Sequence, residues 1–167
     1  MEAQSPAPGL PLRAGRLVPQ AAHERLRELL AQGSAFPDAR RTVEAVGWRF
    51  STALLSNADD DFLYPCLQRN GLTFPVVVTS ESAGAYKPHV SIFKRLGQEM
   101  GLPEEAILYV GDSRLADVTG AKNAGLIAAW VNRNGAISEW NAAGRELLEP
   151  DFEVASLDEL VTVLGVR

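Results

Sequence analysis

Ser56 and Asn57 close and follow the apolar run Arg49–Ser56, Ser80 and Glu81 follow the run Pro75–Thr79, and Gly111, Asp112 and Ser113 follow the run Ile107–Val110. Lys87 stands in the loop ahead of a helix that starts near Val90, and Asp117 comes about one helical turn after Ser113. Together these residue types can handle phosphate. Hydroxyls and backbone N–H groups donate to phosphate oxygens, an ammonium offsets charge developing there, and a carboxylate supplies the hard oxygen that Mg2+ prefers. Each group alone has a plainer use: Ser-Asn makes turns and caps, and Lys-Pro suits a solvated loop leading into a first helical turn. The Gly-Asp-Ser loop after so apolar a run has fewer structural reasons, and the order of all the groups in one chain weighs more than any of them.

Such groups act together only if the elements before them end at one edge. Ala22, Leu26, Leu29 and Leu30 recur at helical spacing and predict a helix over Ala21–Leu30 that stops at Gly33. A second helix is predicted over Asp38–Val46, with Asp38 as its N-cap and Gly47 as its terminator. Strands are then predicted at Arg49–Ser56, Pro75–Thr79, Ile107–Val110, Leu126–Val131 and Phe152–Val154. Helices over Phe62–Asn70, Val90–Met100, Leu115–Ala124 and Leu157–Leu164 alternate with them, the last opened by a capping box of Ser156 and Glu159. Alternation with near-continuous apolar strands implies an α/β fold with a parallel sheet covered on both faces, whose ligands bind outside the carboxyl ends of the strands.

The bulk composition narrows the partners. With 167 residues, 46% hydrophobic and 22% charged, the chain fits one globular domain of ordinary size. A net charge of −5 argues against nucleic acid or anionic membrane as partner, and no apolar run is long enough to span a bilayer. The single cysteine, Cys66, cannot form an internal disulfide and fits a reducing compartment, with the cytoplasm as the expected location. Residues 1–20 carry Pro6, Pro8, Pro11 and Pro19 without a continuous apolar segment, and are expected to be a linker-like tail, not a secretory signal.

The segments LLSN at 54–57, VVVTSESAGAYKP at 76–88 and ILYVGDSRLADVTGAKNAG at 107–125 resemble, in this order, the motifs of the haloacid dehalogenase (HAD) superfamily, in the subfamily whose helical cap is inserted early. The resemblance implies a three-layer Rossmann-like α/β sandwich over residues 36–167, with 21–35 as the remnant of the cap. It also implies site roles: Ser56 binding a phosphoryl oxygen with Asn57 beside it, Lys87 as the lysine that holds the transferring group, and Asp112 and Asp117 as acids that bind Mg2+. The dehalogenases of the superfamily have no comparable Gly-Asp site, so Gly111-Asp112 favours a phosphatase acting on a small phosphorylated metabolite. Trp130 to Arg133 resembles a segment found also in dehalogenases, which keeps 2-haloacid dehalogenase-like hydrolysis as an alternative. His89 stands where the family usually has an aspartate after Lys-Pro, a departure expected to weaken a helix cap.

In the family the reaction begins with an aspartate nucleophile in an Asp-x-Asp motif on the first strand. No aspartate precedes Asp38 here, and Asp59, Asp60 and Asp61, which follow the second-motif strand, are expected to cap the next helix and offset its dipole. Family topology puts the absent strand between those ending at Ser56 and at Val110, and Arg16–Val18, cut off by Pro19, is too short to replace it. Losing several buried apolar side chains at about 1.5 to 3 kcal/mol each, against a net stability of about 5 to 15, leaves an isolated chain of marginal stability. Three accounts are open. The chain is expected either to lack its true beginning and be inactive by itself, or to be a non-catalytic phosphate-binding or protein-interaction module, or to have the slot filled by self-association or a strand-donating partner. Trp48, Trp130 and Trp140 are expected to pack in the core or on the surface, His23 to sit on a polar helix face, and Cys66 to be a buried small apolar residue.

Overall fold

Short β-branched and apolar runs between amphipathic stretches set the order of elements in the computed structural model, which describes Arg25, Glu28, Leu29, residues 32–135 and residues 146–166. Helix α1 (Ala39–Gly47) leads to β1 (Ala53–Ser56), α2 (Asp60–Arg69), β2 (Val76–Thr79) and a short α3 (Ser80–Ala83). Helix α4 (Val90–Met100), a 3-10 turn (Glu104–Ala106), β3 (Leu108–Gly111), a π-helical turn (Arg114–Thr119) and α5 (Gly120–Asn123) follow. The last elements are β4 (Ile127–Val131), β5 (Phe152–Val154) and α6 (Leu157–Val163). No helix among the described residues is long and apolar enough to cross a membrane.

All strand pairs are parallel, as the alternating pattern implies. β1 pairs β2 from Ala53↔Val76 to Ser56↔Thr79, β3 pairs β4 from Leu108↔Ile127 to Gly111↔Trp130, and β4 pairs β5 from Ala129↔Phe152 to Val131↔Val154. The ladders form a two-stranded sheet, β1-β2, and a three-stranded one, β3-β4-β5. Among the described residues no ladder joins β1 to β3. An apolar cleft of about 550 Å3 lies between them, lined by Ser51–Leu55 on one side and Ile107–Val110 on the other, with Val43, Val46, Leu96 and Leu160 among its walls.

Helix α4 ties the two sheets together. Its Ile92, Phe93, Leu96 and Gly97 are buried on one stripe, and the first three join Leu55 of β1, Val78 of β2, Tyr109 of β3 and Ala128 and Trp130 of β4 in one core. Phe93 meets Tyr109 edge to face, with ring centroids 5.1 Å apart. A smaller core of Ala129, Val131, Val154 and Leu160 sits beneath α6.

Several expected boundaries move for local reasons. The strand expected from Arg49 begins at Ala53, because the Arg49 and Phe50 N–H groups both donate to Val46 O and finish α1, while the Arg49 guanidinium donates to Gly165 O. Asp38 precedes α1 without a side-chain capping bond; its carboxylate instead takes two hydrogen bonds from Arg133 and one from Leu157 N–H. Gly47 is the last residue of α1, not a left-handed terminator. Asp59 makes no capping bond to α2; the carboxylate of Glu81 accepts from Asp60 N–H at 2.9 Å, and Asp60 Oδ1 accepts from Thr79 Oγ1 at 2.7 Å. The Ser156 box opens α6 as expected at one end, Ser156 Oγ accepting from Glu159 N–H, but Glu159 reaches back to Ala155 N–H. His89 does cap α4, its Nδ1 accepting from Ser91 N–H, so the departure at this position leaves the cap in place.

The chain divides into Met1–Gln32 and Gly33–Arg167. The expected tail 1–20, with Arg16–Val18, lies outside the described residues, as do His23 and Trp140. Of the expected cap helix, Arg25, Glu28 and Leu29 are described and helical, and Arg25 pairs with Glu28 across 3.0 Å. Cys66 is half-buried, Trp48 is 90% exposed and Trp130 is buried.

Candidate active site

The carboxyl ends of β1 and β3 place the polar set. β1 delivers Ser56, half-buried, and then the exposed Asn57. Asn57 clasps the backbone of the lysine loop in both directions: its Oδ1 accepts from Lys87 N–H at 2.7 Å, and its Nδ2 donates to Lys87 O at 3.1 Å. That clasp fixes the start of the lysine side chain, whose far end runs inward. Lys87 Nζ donates to Asp117 Oδ1 at 2.7 Å, to Tyr109 Oη at 2.9 Å and, at 3.5 Å, to Leu55 O. The Ser56 hydroxyl has no hydrogen-bond partner among the described residues, which leaves it open to a ligand oxygen.

After β3 the chain makes a π-helical turn, with both Asp117 N–H and Val118 N–H donating to Ser113 O, at 3.0 and 3.1 Å. The extra residue in that turn carries Asp117 back over the end of β3, where its Oδ2 accepts from Ser113 N–H at 2.9 Å. The approach leaves no room for a side chain on residue 111. A β-carbon there would stand 2.4 Å from Asp117 Cβ and Cγ, so the glycine of the Gly-Asp-Ser loop is required by the carboxylate folded over it.

Tyr109 completes the buried part of the site. Its hydroxyl accepts from Lys87 and donates to Asp117 Oδ1 at 3.1 Å. Burial, then the charge and hydrogen bond of Asp117, then the charge of Asp112 push its ionisation far above the ordinary phenol range, so it stays a neutral donor. Lys87 and Asp117, at 13% and 6% side-chain exposure, are thus a shielded ion pair held by a phenol.

Asp112 differs from Asp117 in every respect that bears on ligands. It is exposed, and its carboxylate has no hydrogen bond or ion pair among the described residues, while its backbone carbonyl accepts from Trp130 Nε1 at 2.9 Å. Arg114 lies over the Trp130 ring, 4.9 Å from its centroid, and gives its Nη2 to Leu148 O and Glu149.

Sequence reasoning brings together Ser56, Asn57, Lys87, Asp112 and Asp117, and the structure gathers Asn57, Lys87 and Asp117 into one hydrogen-bonded group. Ser80 and Glu81 are drawn into local structure: Ser80 Oγ donates to Ala58 O and Glu81 caps α2. Tyr109 was absent from the expected set. The signal for it was a polar-tipped aromatic inside an otherwise aliphatic strand, a residue that needs a partner when buried.

Among the described residues no group of three or more His, Cys, Asp or Glu side chains gathers to hold a metal. Mg2+ keeps most of its waters and needs only one or two protein carboxylates beside a bound phosphate, so the uncommitted oxygen donors of Asp112 fit it. Asp117 is occupied on both oxygens by Lys87, Tyr109 and Ser113 and fits a supporting role.

Residues 7–125 match the family model of haloacid dehalogenase-like hydrolases. Haloacetate dehalogenase H-2 of Moraxella sp. is 33% identical over 146 residues, 85% of this chain and 62% of that protein. Phosphoserine phosphatase of Thermus thermophilus is 33% identical over 163 residues, 95% of this chain and 61% of its own. Pyrimidine 5'-nucleotidase YjjG of Escherichia coli is 30% identical over 131 residues, covering 77% and 56%. The chain therefore spans 56% to 62% of the length of these relatives. Among solved structures, that of a HAD phosphatase from Thermococcus onnurineus superposes with a TM-score of 0.71 at 30% identity, over 87% of this chain and 65% of that one.

Proposed function

The chain belongs to the haloacid dehalogenase-like hydrolases, and from that membership we propose that its site serves Mg2+-dependent hydrolysis of a phosphate monoester of a small metabolite. The observation that carries the reading is the contrast between the two acids after β3. Asp117 is spent on Lys87 and Tyr109, whereas Asp112 is exposed with its carboxylate uncommitted, the arrangement a Mg2+ ion beside a phosphate asks for. The phosphoserine phosphatase and the pyrimidine nucleotidase among the relatives support a phosphate ester as substrate.

In this reading Asp112 holds the metal ion, which when bound offsets charge on the phosphoryl oxygens. Lys87, fixed by Asn57 at its backbone and by Asp117 and Tyr109 at its tip, presents its ammonium to the transferring group, and the Ser56 hydroxyl donates to a phosphoryl oxygen. Asp117 acts through Lys87 as a positioning residue. The aspartate nucleophile that the family resemblance calls for has no counterpart before Asp38, so this chain alone is expected to bind the phosphoryl group without turning it over.

The second reading, hydrolysis of a 2-haloacid, rests on the likeness to haloacetate dehalogenase H-2. Two measurements separate the readings. Calorimetric titration of this chain with inorganic phosphate is expected to show binding that requires Mg2+ and is lost in Asp112→Asn. The form purified from its native source is expected to release phosphate from p-nitrophenyl phosphate, with activity abolished by a chelator. Halide release from chloroacetate that persists in the chelator would overturn the phosphatase reading in favour of the dehalogenase one, and phosphate binding without turnover by the native form would leave a binding module.

A further inference from the structure

The tripeptide Arg-Asn-Gly occurs twice in the chain, at 69–71 and at 133–135. In such a pair the glycine has no β-carbon to shield the peptide bond, so its backbone nitrogen can close on the side-chain amide of the asparagine before it. Whether it does so depends on what holds the two groups, and the fold treats the two copies in opposite ways. From that difference we infer that Asn134 is a site of spontaneous succinimide formation, converting to aspartate and isoaspartate in the folded protein, while Asn70 is held out of the same reaction.

Asn70 is fixed at the atoms the reaction uses. Its Oδ1 accepts from Ala35 N–H at 2.7 Å, and its Nδ2 donates to Cys66 O at 2.8 Å and to Gly33 O at 3.3 Å. Gly71 N–H donates to Gln68 O at 3.2 Å, and the Arg40 guanidinium lies against this glycine, its Nη1 3.4 Å from the point a β-carbon would occupy. Cyclisation there must break the side-chain bonds together and open the end of α2. Asn134 is the reverse case. It lies in the turn after β4, it is exposed, and its side chain has no hydrogen bond or ion pair among the described residues. The turn is closed by Gly135 N–H donating to Asn132 O at 3.4 Å, long for such a bond. Gly135 is exposed at φ +59°, and outside its two neighbours in sequence no described atom stands within 4 Å of the point a β-carbon would occupy. Neither the amide nor the attacking nitrogen is held.

The step needs only water. Gly135 N gives its proton to hydroxide and attacks Asn134 Cγ; the Cγ–Nδ2 bond breaks, and the nitrogen leaves as ammonia with a proton from water. A water molecule then adds to one of the two imide carbonyls. Cleavage between the ring nitrogen and Cγ gives aspartate, and cleavage between the ring nitrogen and the main-chain carbonyl carbon gives isoaspartate, with a methylene moved into the main chain. Either product places a carboxylate next in sequence to Arg133, whose Nη1 and Nη2 donate to Asp38 at 2.9 and 3.0 Å. The change is one-way and is independent of the reaction the candidate site serves.

The test ages the whole chain in mildly alkaline buffer, without substrate or metal, and follows residues 70 and 134 by peptide mapping against an unaged sample. Mass spectrometry reads the replacement of the amide by a carboxyl, and electron-transfer fragmentation separates isoaspartate from aspartate. In the folded protein Asn134 is expected to convert about tenfold or more faster than Asn70, because Asn70 reacts only through local opening. The same chain unfolded in guanidinium chloride should bring the two rates to within about twofold, since the Arg-Asn-Gly context is shared and no fold is left to protect either copy. Asn134→Gln keeps an amide but requires a larger ring, and residue 134 should then stay unmodified. Equal rates in the folded protein would overturn the inference, as would an Asn70 that stays slow when unfolded. So would a product at 134 free of isoaspartate, or conversion that persists in Asn134→Gln. Because no turnover is read, a negative result here is separate from any failure to release phosphate.

Discussion

Lys87 Nζ lies 2.7 Å from Asp117 Oδ1, and the contact links the loop between α3 and α4 to the turn after β3, so that it bridges the β1-β2 and β3-β4-β5 halves, which share no strand ladder among the described residues. With both side chains shielded, removal of one leaves the other's charge poorly solvated. Asp117→Ala is expected to lower the unfolding free energy by about 3 kcal/mol, read from urea midpoints. Lys87→Met combined with Asp117→Leu should cost clearly less than the sum of the single changes, since no charge is then left behind. Strict additivity of the two changes would show that the pair holds nothing together.

The close approach of Asp117 to Gly111 makes a separate demand. Gly111→Ala must push a β-carbon against Asp117 Cβ and Cγ, 2.4 Å from the site it would occupy. The expected cost is about 1 to 3 kcal/mol in the same urea measurement. Asp117→Ala in the Gly111→Ala background should add little, because the space is then vacated; a full additional loss would place the strain elsewhere.

The parallel α/β arrangement, and the gathering of Asn57, Lys87 and Asp117 at one sheet edge, were legible because apolar runs such as Val76–Thr79 and Ile107–Val110 ended in polar residues at family-like spacing. Periodicity could not show the π-helical turn after Ser113: one extra residue is invisible to a 3.6-residue count, yet it is what folds Asp117 over Gly111. Asp38 was read as a local cap because Asp is favoured there, whereas its partners, Arg133 and Leu157, are far away in sequence. Glu81 was read only as one of the polar residues that follow a strand, and its task, accepting from Asp60 N–H at the start of α2, could be seen only in three dimensions.

The Asp38 contacts set an acid dependence. Chiefly through hydrogen bonds from Arg133, opposed by burial and aided by Leu157 N–H, its folded carboxyl is held below the ordinary aspartate value. The unfolded chain therefore takes up this proton first as pH falls. The contribution is present in full above the ordinary value of about 3.9 and is lost as pH drops through the lower folded one. Asp38→Asn should cost about 2 kcal/mol near neutral pH, less than a fully buried pair because Arg133 remains 23% exposed. Urea midpoints taken from roughly pH 6 down to pH 3 should fall less steeply in Asp38→Asn than in the parent. Parallel curves would mean that Asp38 does not link folding to protons.

Asp112 and Asp117 should respond oppositely to Mg2+. If Asp112 is the metal acid, Mg2+ binds the folded chain and raises its stability by about 1.4 kcal/mol at ten times the dissociation constant. Asp112→Asn should leave the metal-free stability nearly unchanged, since the carboxylate is exposed and has no partner among the described residues, but should abolish the rise. Asp117→Asn should do the reverse: it weakens the metal-free fold by loosening Lys87 and Tyr109 while part of the Mg2+ response survives. Thermal unfolding of the three proteins with and without Mg2+ reads both quantities at once. A Mg2+ response that survives in Asp112→Asn and vanishes in Asp117→Asn would transfer the metal to Asp117 and require Lys87 to give up its partner.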